Sequence, residues 1–250
     1  RVKYEDRMRA PDFSDVPRAA KPVLSAQQQE AYDGMAALMD EPKAQAALLF
    51  GVTGSGKTEV YIHLIQKELE QGRQVLYMLP EIVLTTQLTE RLKRVFGDRL
   101  GVYHSRYPDA ERVEVYQKML SDHPYDIIVG VRSSIFLPFR SLGLIIVDEE
   151  HETSFKQQDP APRYHARNAA LVLAAQMQAR TLLGTATPSL ETYRNALTGR
   201  YGLVRLTTRF RDVQLPDIQV VDVKEMRRKR LMSGPFSPQL IDLMRDALEH

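Results

Sequence analysis

Two short stretches of this chain carry the residue types that phosphate chemistry needs. In the run Gly51-Val52-Thr53-Gly54-Ser55-Gly56-Lys57-Thr58, Gly51, Gly56, Lys57 and Thr58 fall on the spacing G-x-x-x-x-G-K-[ST]. Glycines let the backbone curl, so that the N–H groups of Thr53, Gly54, Ser55 and Gly56 turn inward as an anion cradle. The helix that follows adds its positive N-terminal end. Lys57 can reach the β- and γ-phosphates, and the Thr58 hydroxyl can ligate Mg²⁺. The second stretch is Asp148-Glu149, which closes the apolar run Leu142–Val147. There Asp148 would hold Mg²⁺ through water, and Glu149 would orient and deprotonate an attacking water. The plainer alternatives are a glycine-serine turn and a solvated acidic loop. A strand before the loop, an amphipathic helix after it and a lysine at the required place argue against the first, and a phosphate loop on a neighbouring strand argues against the second.

The elements that must position these residues alternate along the chain. Leu48–Phe50 reads as a buried strand ahead of the loop, and Val60, Tyr61, Leu64, Ile65 and Leu69 repeat at helical spacing after it, closed by Gly72. Strands follow at Gln74–Leu79, Gly101–Tyr103, Asp126–Val131, Leu142–Val147 and Thr181–Gly184. Helices are expected over Ile82–Phe96, over Asp109–Leu120 with Asp109 as its cap, and over Arg167–Ala179. Ser25 can cap an earlier helix running to about Met39. The fold class is therefore α/β, a mainly parallel sheet with helices on both faces. Catalytic groups should collect at the carboxyl ends of its strands, where Gly51, Pro80, Gly130, Asp148 and Gly184 all fall. Beyond Gly199 the pattern changes: Gly202–Leu206 and Ile218–Val223 read as strands, and a last helix starts at Ser237-Pro238.

Composition narrows the classes. An apolar content of 43% and a charged content of 26% suit a globular protein, and a net charge of +2 neither requires nor excludes nucleic acid. The absence of cysteine excludes disulfides, zinc-thiolate sites and thiol nucleophiles within these residues. No run is long enough to span a bilayer, and the charged start Arg1–Asp6 has no apolar signal region, so a cytoplasmic location is expected. Residues 1–22, with prolines at 11, 17 and 22, read as a linker or arm from an upstream domain.

Further motifs join the two at the same sheet edge. Thr85-Thr86-Gln87 and Arg132-Ser133 follow strand ends and can donate to phosphates, although helix capping would serve equally. Thr185 and Thr187 of Gly184–Pro188 can sense a terminal phosphate, or simply cap the turn. In Ser154–Asn168, Phe155 and Tyr164 can stack on bases, while Lys156, Arg163 and Arg167 neutralise phosphates. A glutamine among Gln27-Gln28-Gln29 can read an adenine edge.

Taken in order, Gly51–Thr58, Pro80–Gln87, Gly130–Ser133, Asp148–His151 and Gly184–Pro188 resemble motifs I, Ia, Ib, II and III of superfamily 2 helicases. The form Asp148-Glu149-Glu150-His151, followed by Ser154–Gln157 and Pro162–Arg167, is similar to the bacterial primosomal replication-restart helicases. That resemblance, from about residue 24 onward, implies a RecA-like P-loop NTPase lobe at 23–207. Residues 208–250 would be a connector and the truncated start of a second lobe. It implies ATP and Mg²⁺ as cofactors, and 3′→5′ translocation on forked and single-stranded DNA at abandoned forks. Implied partners are single-stranded DNA-binding protein and helicase-loading proteins, with the protein nucleoid-associated and monomeric. It selects Gln28 as the adenine reader and makes Ser154–Asn168 the loop coupling DNA to ATP. Phe155 stands where the family has tyrosine and Asn168 where it has aspartate. The family's zinc-binding cysteines and N-terminal fork-binding domain are absent from this chain, and the second lobe that would supply arginine fingers is incomplete. Weak activity of the segment alone is the expectation. The rivals are a fork-recognition scaffold that recruits partners without unwinding, and a small-molecule kinase. An intact loop and Glu149 speak against the first, and the aromatic-basic loop against the second.

Overall fold

The computed structural model describes residues 19–41, 46–104, 108–209 and 218–249. Helix α1 (Ala26–Asp40) precedes β1 (Ala46–Gly51), and the chain then runs α2 (Lys57–Glu70), β2 (Gln74–Met78), α3 (Thr86–Phe96), β3 (Leu100–Tyr103), α4 (Asp109–Leu120), β4 (Ile127–Gly130), β5 (Leu142–Asp148), α5 (Ala166–Met177), β6 (Arg180–Thr185), α6 (Leu190–Leu197) and β7 (Gly202–Leu206). The seven strands form one parallel sheet in the order β3-β4-β2-β5-β6-β1-β7. Side chains alternate across it. Leu49, Val75, Tyr77, Leu144 and Ile146 face a cluster completed by α1, α2 and α3. Leu48, Leu76, Met78, Ile145 and Val147 face another, completed by α4, α5 and α6. With both faces covered, the strands are near-continuous apolar runs, as the sequence suggested.

Several local expectations need correction. β1 and β5 are not neighbours, because β6 lies between them and pairs with both. Helix α3 starts at Thr86 rather than Ile82, since the N–H groups of Val83 and Leu84 close a turn on the Pro80 carbonyl. Thr85 caps that helix, accepting from the Leu88 N–H at 3.3 Å. Asp109 is the first helical residue of α4 and not its cap; Pro108 holds the cap position, and the Asp109 carboxylate accepts from Arg112.

The chain divides into two compact units, Arg1–Asp212 and Val213–His250. In the second, Ile218–Val223 is not a strand. Residues 218–222 are irregular, and the Asp222 carboxylate accepts from the N–H groups of Lys224 and Glu225 to start α7 (Val223–Arg228). Ser237 caps the last helix, α8 (Pro238–Glu249), through the Leu240 N–H. The expected arm at 1–22 lies largely outside the described residues.

Candidate functional site

The loop after β1 is built by backbone geometry that side chains would obstruct. Gly54 and Gly56 have φ of +76° and +84°. A Cβ on Gly56 would collide with the Gln28 amide, and one on Gly51 would lie 2.9 Å from Lys57 Cγ. The Ser55 N–H donates to Val52 at 3.1 Å, and the Val52 N–H ties the loop to Leu206 of β7 at 3.1 Å. Thr53 and Gly54 form its exposed apex. Lys57 Nζ donates to the Gly51 carbonyl at 3.1 Å and stands 3.6 Å from Glu149 Oε1. Lys57 therefore spans from the loop to the acidic turn, across the end of β6.

Gln28 sits differently from the expectation. Its side chain is 1% exposed, its Oε1 accepts from the Ser25 N–H at 2.9 Å, and its Nε2 donates to the Ser55 carbonyl at 3.1 Å. The amide completes a capping box on α1 and fastens that helix to the loop. Its second N–H and second lone pair are shielded from solvent.

At the end of β5, Asp148 is 6% exposed. Its Oδ1 accepts from Tyr61 Oη at 3.0 Å and from the Glu149 N–H at 3.1 Å, and its Oδ2 accepts from Tyr77 Oη at 3.1 Å. Burial, with the Glu149 charge beside it, pushes the carboxyl up from 3.8 to about 6, against the opposing pull of Lys57 and the two phenols. Glu149 adopts φ of +49°, a left-handed conformation that costs a non-glycine residue energy and is held by its surroundings. The Thr185 hydroxyl donates to Glu149 Oε2 at 3.3 Å and lies 2.8 Å from His151 Nδ1. Thr185 is fully buried, so its side chain reaches only Glu149 and its neighbours on this turn and cannot touch a nucleic acid. Thr187 is exposed, with its hydroxyl 3.4 Å from His151 Nε2.

The segment after this turn is tied back to it. The Gln157 N–H donates to the Tyr164 carbonyl at 2.8 Å, and the Gln157 side chain donates to the carbonyls of Pro160 and Pro162. Arg132 donates to the carbonyls of Ser154 and Lys156 at 3.3 and 3.4 Å. Two of the predicted nucleic-acid contacts fail here. Phe155 is 1% exposed and lies in the apolar cluster with Ile135 and Ala170, so it cannot stack on a base. A ring without a hydroxyl suits that site, because a buried phenol would need a partner. Arg167 is not free for phosphate either. Its Nη1 pairs with Glu150 Oε2 at 2.6 Å and donates to Ser189 Oγ at 2.8 Å, while its Nε donates to Asn168 at 3.3 Å. Asn168 thus still holds a basic neighbour, without a charge.

Lys156 and Arg163 are exposed, as are Thr85 and Gln87 at the start of α3, and Ser133 is half-buried in the 3₁₀ turn Arg132–Phe136. Sequence reasoning missed Phe136. It is 62% exposed, and its ring meets that of Tyr164 edge-on at 5.0 Å. The signal was an aromatic just beyond a strand's carboxyl end. It also missed Glu150, which is fully buried and accepts from Arg167, the Ser189 N–H and the Thr192 hydroxyl.

The residues present fit a magnesium nucleotide. Ser55 Oγ is buried inside the phosphate loop with no protein partner. Among the described residues no group of three or more histidine, cysteine or acidic side chains could hold a metal unaided. The oxygens that the sequence offers for Mg²⁺ are those of Asp148 and Thr58.

Comparison with known proteins bears on the family and the fold. A family model described as DEAD/DEAH box helicase matches residues 26–196. Replication restart protein PriA of Bacillus subtilis is 37% identical over 98% of this chain and 30% of its own length, and that of Rickettsia felis is 40% identical over 92% and 34%. PriA of Chlamydia pneumoniae is 37% identical over 90% and 30%. The chain thus spans about a third of the length of these relatives. Two solved structures share the fold at 18% identity and a TM-score of 0.50: the DUF1998 helicase MrfA bound to DNA, over 74% of this chain and 27% of that one, and a nuclease-deletion mutant of the restriction-modification enzyme LlaGI with a DNA substrate mimic, over 76% and 20%. The α/β lobe is RecA-like, and among the described residues no helix is long and apolar enough to cross a membrane. By this match over residues 26–196, the chain belongs to the DEAD/DEAH box helicases.

Proposed function

We propose that this chain is the first motor lobe of an ATP-dependent 3′→5′ DNA helicase that acts at stalled or abandoned replication forks. The carrying observation is the 3.6 Å approach of Lys57 to Glu149, which joins the phosphate loop to the acidic turn at one sheet edge. The relatives' name, replication restart protein, supports the cellular role. In this reading the loop from Thr53 to Gly56 cradles the phosphates and Lys57 leaves Glu149 for them. Glu149 is then free to position and deprotonate water. Bound Mg²⁺ would neutralise charge developing on the phosphates, with Asp148 and Thr58 as its protein ligands. Gln28 keeps one N–H and one lone pair beyond its bonds to Ser25 and Ser55, so it could meet adenine while still holding the loop.

Single-stranded DNA would lie along the exposed Thr85, Gln87, Lys156 and Arg163 and the half-buried Ser133, with Phe136 and Tyr164 as the stacking surface in place of Phe155. An arginine from a second lobe is needed for fast phosphoryl transfer, so the isolated chain should hydrolyse ATP slowly. The protein would work as a cytoplasmic monomer, with single-stranded DNA-binding protein and helicase-loading proteins as partners. Strand displacement by the full-length protein on a forked duplex tests this. The expected result is ATP-dependent displacement with a 3′ single-stranded tail, lost in Lys57→Ala. Fork binding without displacement under any condition would instead identify a recruitment scaffold.

A further inference from the structure

The two tyrosines on Asp148 are built into the fold from opposite sides. Tyr61 lies on α2, one turn beyond Thr58, and Tyr77 on β2, beside β5. Both are fully buried, and their rings meet edge-on at 5.6 Å. To reach Asp148, Tyr61 must pass over β6, and it does so above Gly184, where any Cβ would collide with its hydroxyl. The Tyr77 hydroxyl gives its hydrogen bond to Asp148, with the Thr58 side chain nearby. It therefore stands between the two oxygens assigned to the cation, one from the phosphate loop and one from β5.

Their chemistry fits positioning better than filling. A leucine or phenylalanine would fill either place, since the surrounding cluster is apolar. Phenols instead supply one hydrogen bond to each carboxylate oxygen while leaving its negative charge intact. A lysine there would neutralise that charge and compete with a cation. A carboxylate has about four acceptor sites. Tyr61, Tyr77 and the Glu149 N–H take three, which leaves capacity for one further partner. Burial, and then the Asp148 charge, hold both phenols well above the usual tyrosine range, so they stay protonated donors.

We propose that Tyr61 and Tyr77 are positioning residues for the cation of the nucleotide site, fixing the Asp148 carboxylate and, through Tyr77, aligning it with Thr58 before metal arrives. This rests on the Mg–ATP reading above. Partners of this kind behind a metal-binding carboxylate are typically worth 10–100-fold in metal affinity.

The test titrates Mg²⁺ into the full-length protein with fluorescent ADP, reading nucleotide affinity, and repeats the titration for ATP hydrolysis. Tyr61→Phe and Tyr77→Phe keep the rings, and circular dichroism and Tm report folding. Each is expected to raise half-saturating Mg²⁺ about tenfold. Nucleotide affinity without Mg²⁺ should stay unchanged, and hydrolysis should recover within a few-fold at saturating Mg²⁺. Tyr77→Phe should have the larger effect. A lowered Tm with unchanged Mg²⁺ dependence in both variants would make the tyrosines merely structural and overturn the proposal. If one variant does not fold, the other decides. A parent protein that binds ADP no better with Mg²⁺ than without, or no better than Lys57→Ala, would remove the Mg–ATP reading itself. Unmoved variants beside a responsive parent remove only this inference.

Discussion

On the Asp148 carboxylate, burial favours the neutral acid while the phenols, the Glu149 N–H and Lys57 favour the anion. Burial, with the Glu149 charge beside it, wins, and the group is raised from 3.8 to about 6. A carboxyl with a raised folded-state pKa holds its proton to higher pH in the native state than in the unfolded one. Stability is therefore fullest below about 3.8 and declines as pH rises through about 6. The contribution lost is on the order of 3 kcal/mol. Denaturant unfolding without divalent cation, followed from pH 4 to 7.5, should show this decline superimposed on the titration of other groups. In Asp148→Asn the decline should shrink by about that amount. An identical pH profile in the two proteins would mean that burial does not govern this group. The phosphate loop was legible at this scale because its residues are consecutive and its chemistry is local. Tyr61 and Tyr77 were not, because a buried tyrosine keeps the same helical or strand period as a leucine. Only the fold shows that both hydroxyls converge on one carboxylate.

The 154–168 segment shows how elements reassign side chains that sequence order puts together. Its aromatics and cations read as one binding loop. The 3₁₀ turn Thr153–Phe155 instead carries Phe155 into the core, while the turn Arg132–Phe136 puts Phe136 outside. Replacing Phe136 by alanine should weaken single-stranded DNA binding by about 1–3 kcal/mol with little change in Tm. Phe155→Ala should instead destabilise the fold by about 3–5 kcal/mol. The reverse pattern would restore Phe155 as the stacking residue. Arg167 belongs to the same lesson. Its pairing with the buried Glu150 binds the start of α5 to the acidic turn and to the Ser189 cap of α6. Arg167→Ala leaves a buried carboxylate with neutral donors only, so it should cost about 3 kcal/mol and blunt stimulation of hydrolysis by DNA. Wild-type Tm and stimulation in that variant would show the pair to be incidental. Parallel-sheet membership was legible from the alternation of apolar runs with amphipathic helices. Strand order was not, because crossovers leave no local trace, and β6 between β1 and β5 is the result.

At the scale of the molecule, the carboxyl ends of β1, β5 and β6 bring Lys57, Glu149 and Thr185 to one edge, and Glu150 links that edge to the segment bearing Lys156, Arg163 and Tyr164. A nucleic acid on that segment and a nucleotide in the loop would thus bear on the same acidic turn. Coupling between two sites through a shared element is reciprocal in binding, and in a motor it appears as substrate-stimulated turnover. The steady-state ATPase rate of the full-length protein, with and without forked DNA, measures this most directly. The account predicts at least tenfold stimulation by DNA, and a rate for Lys57→Ala at background under both conditions. Equal rates with and without DNA, or a Lys57→Ala rate matching the parent's, would contradict it.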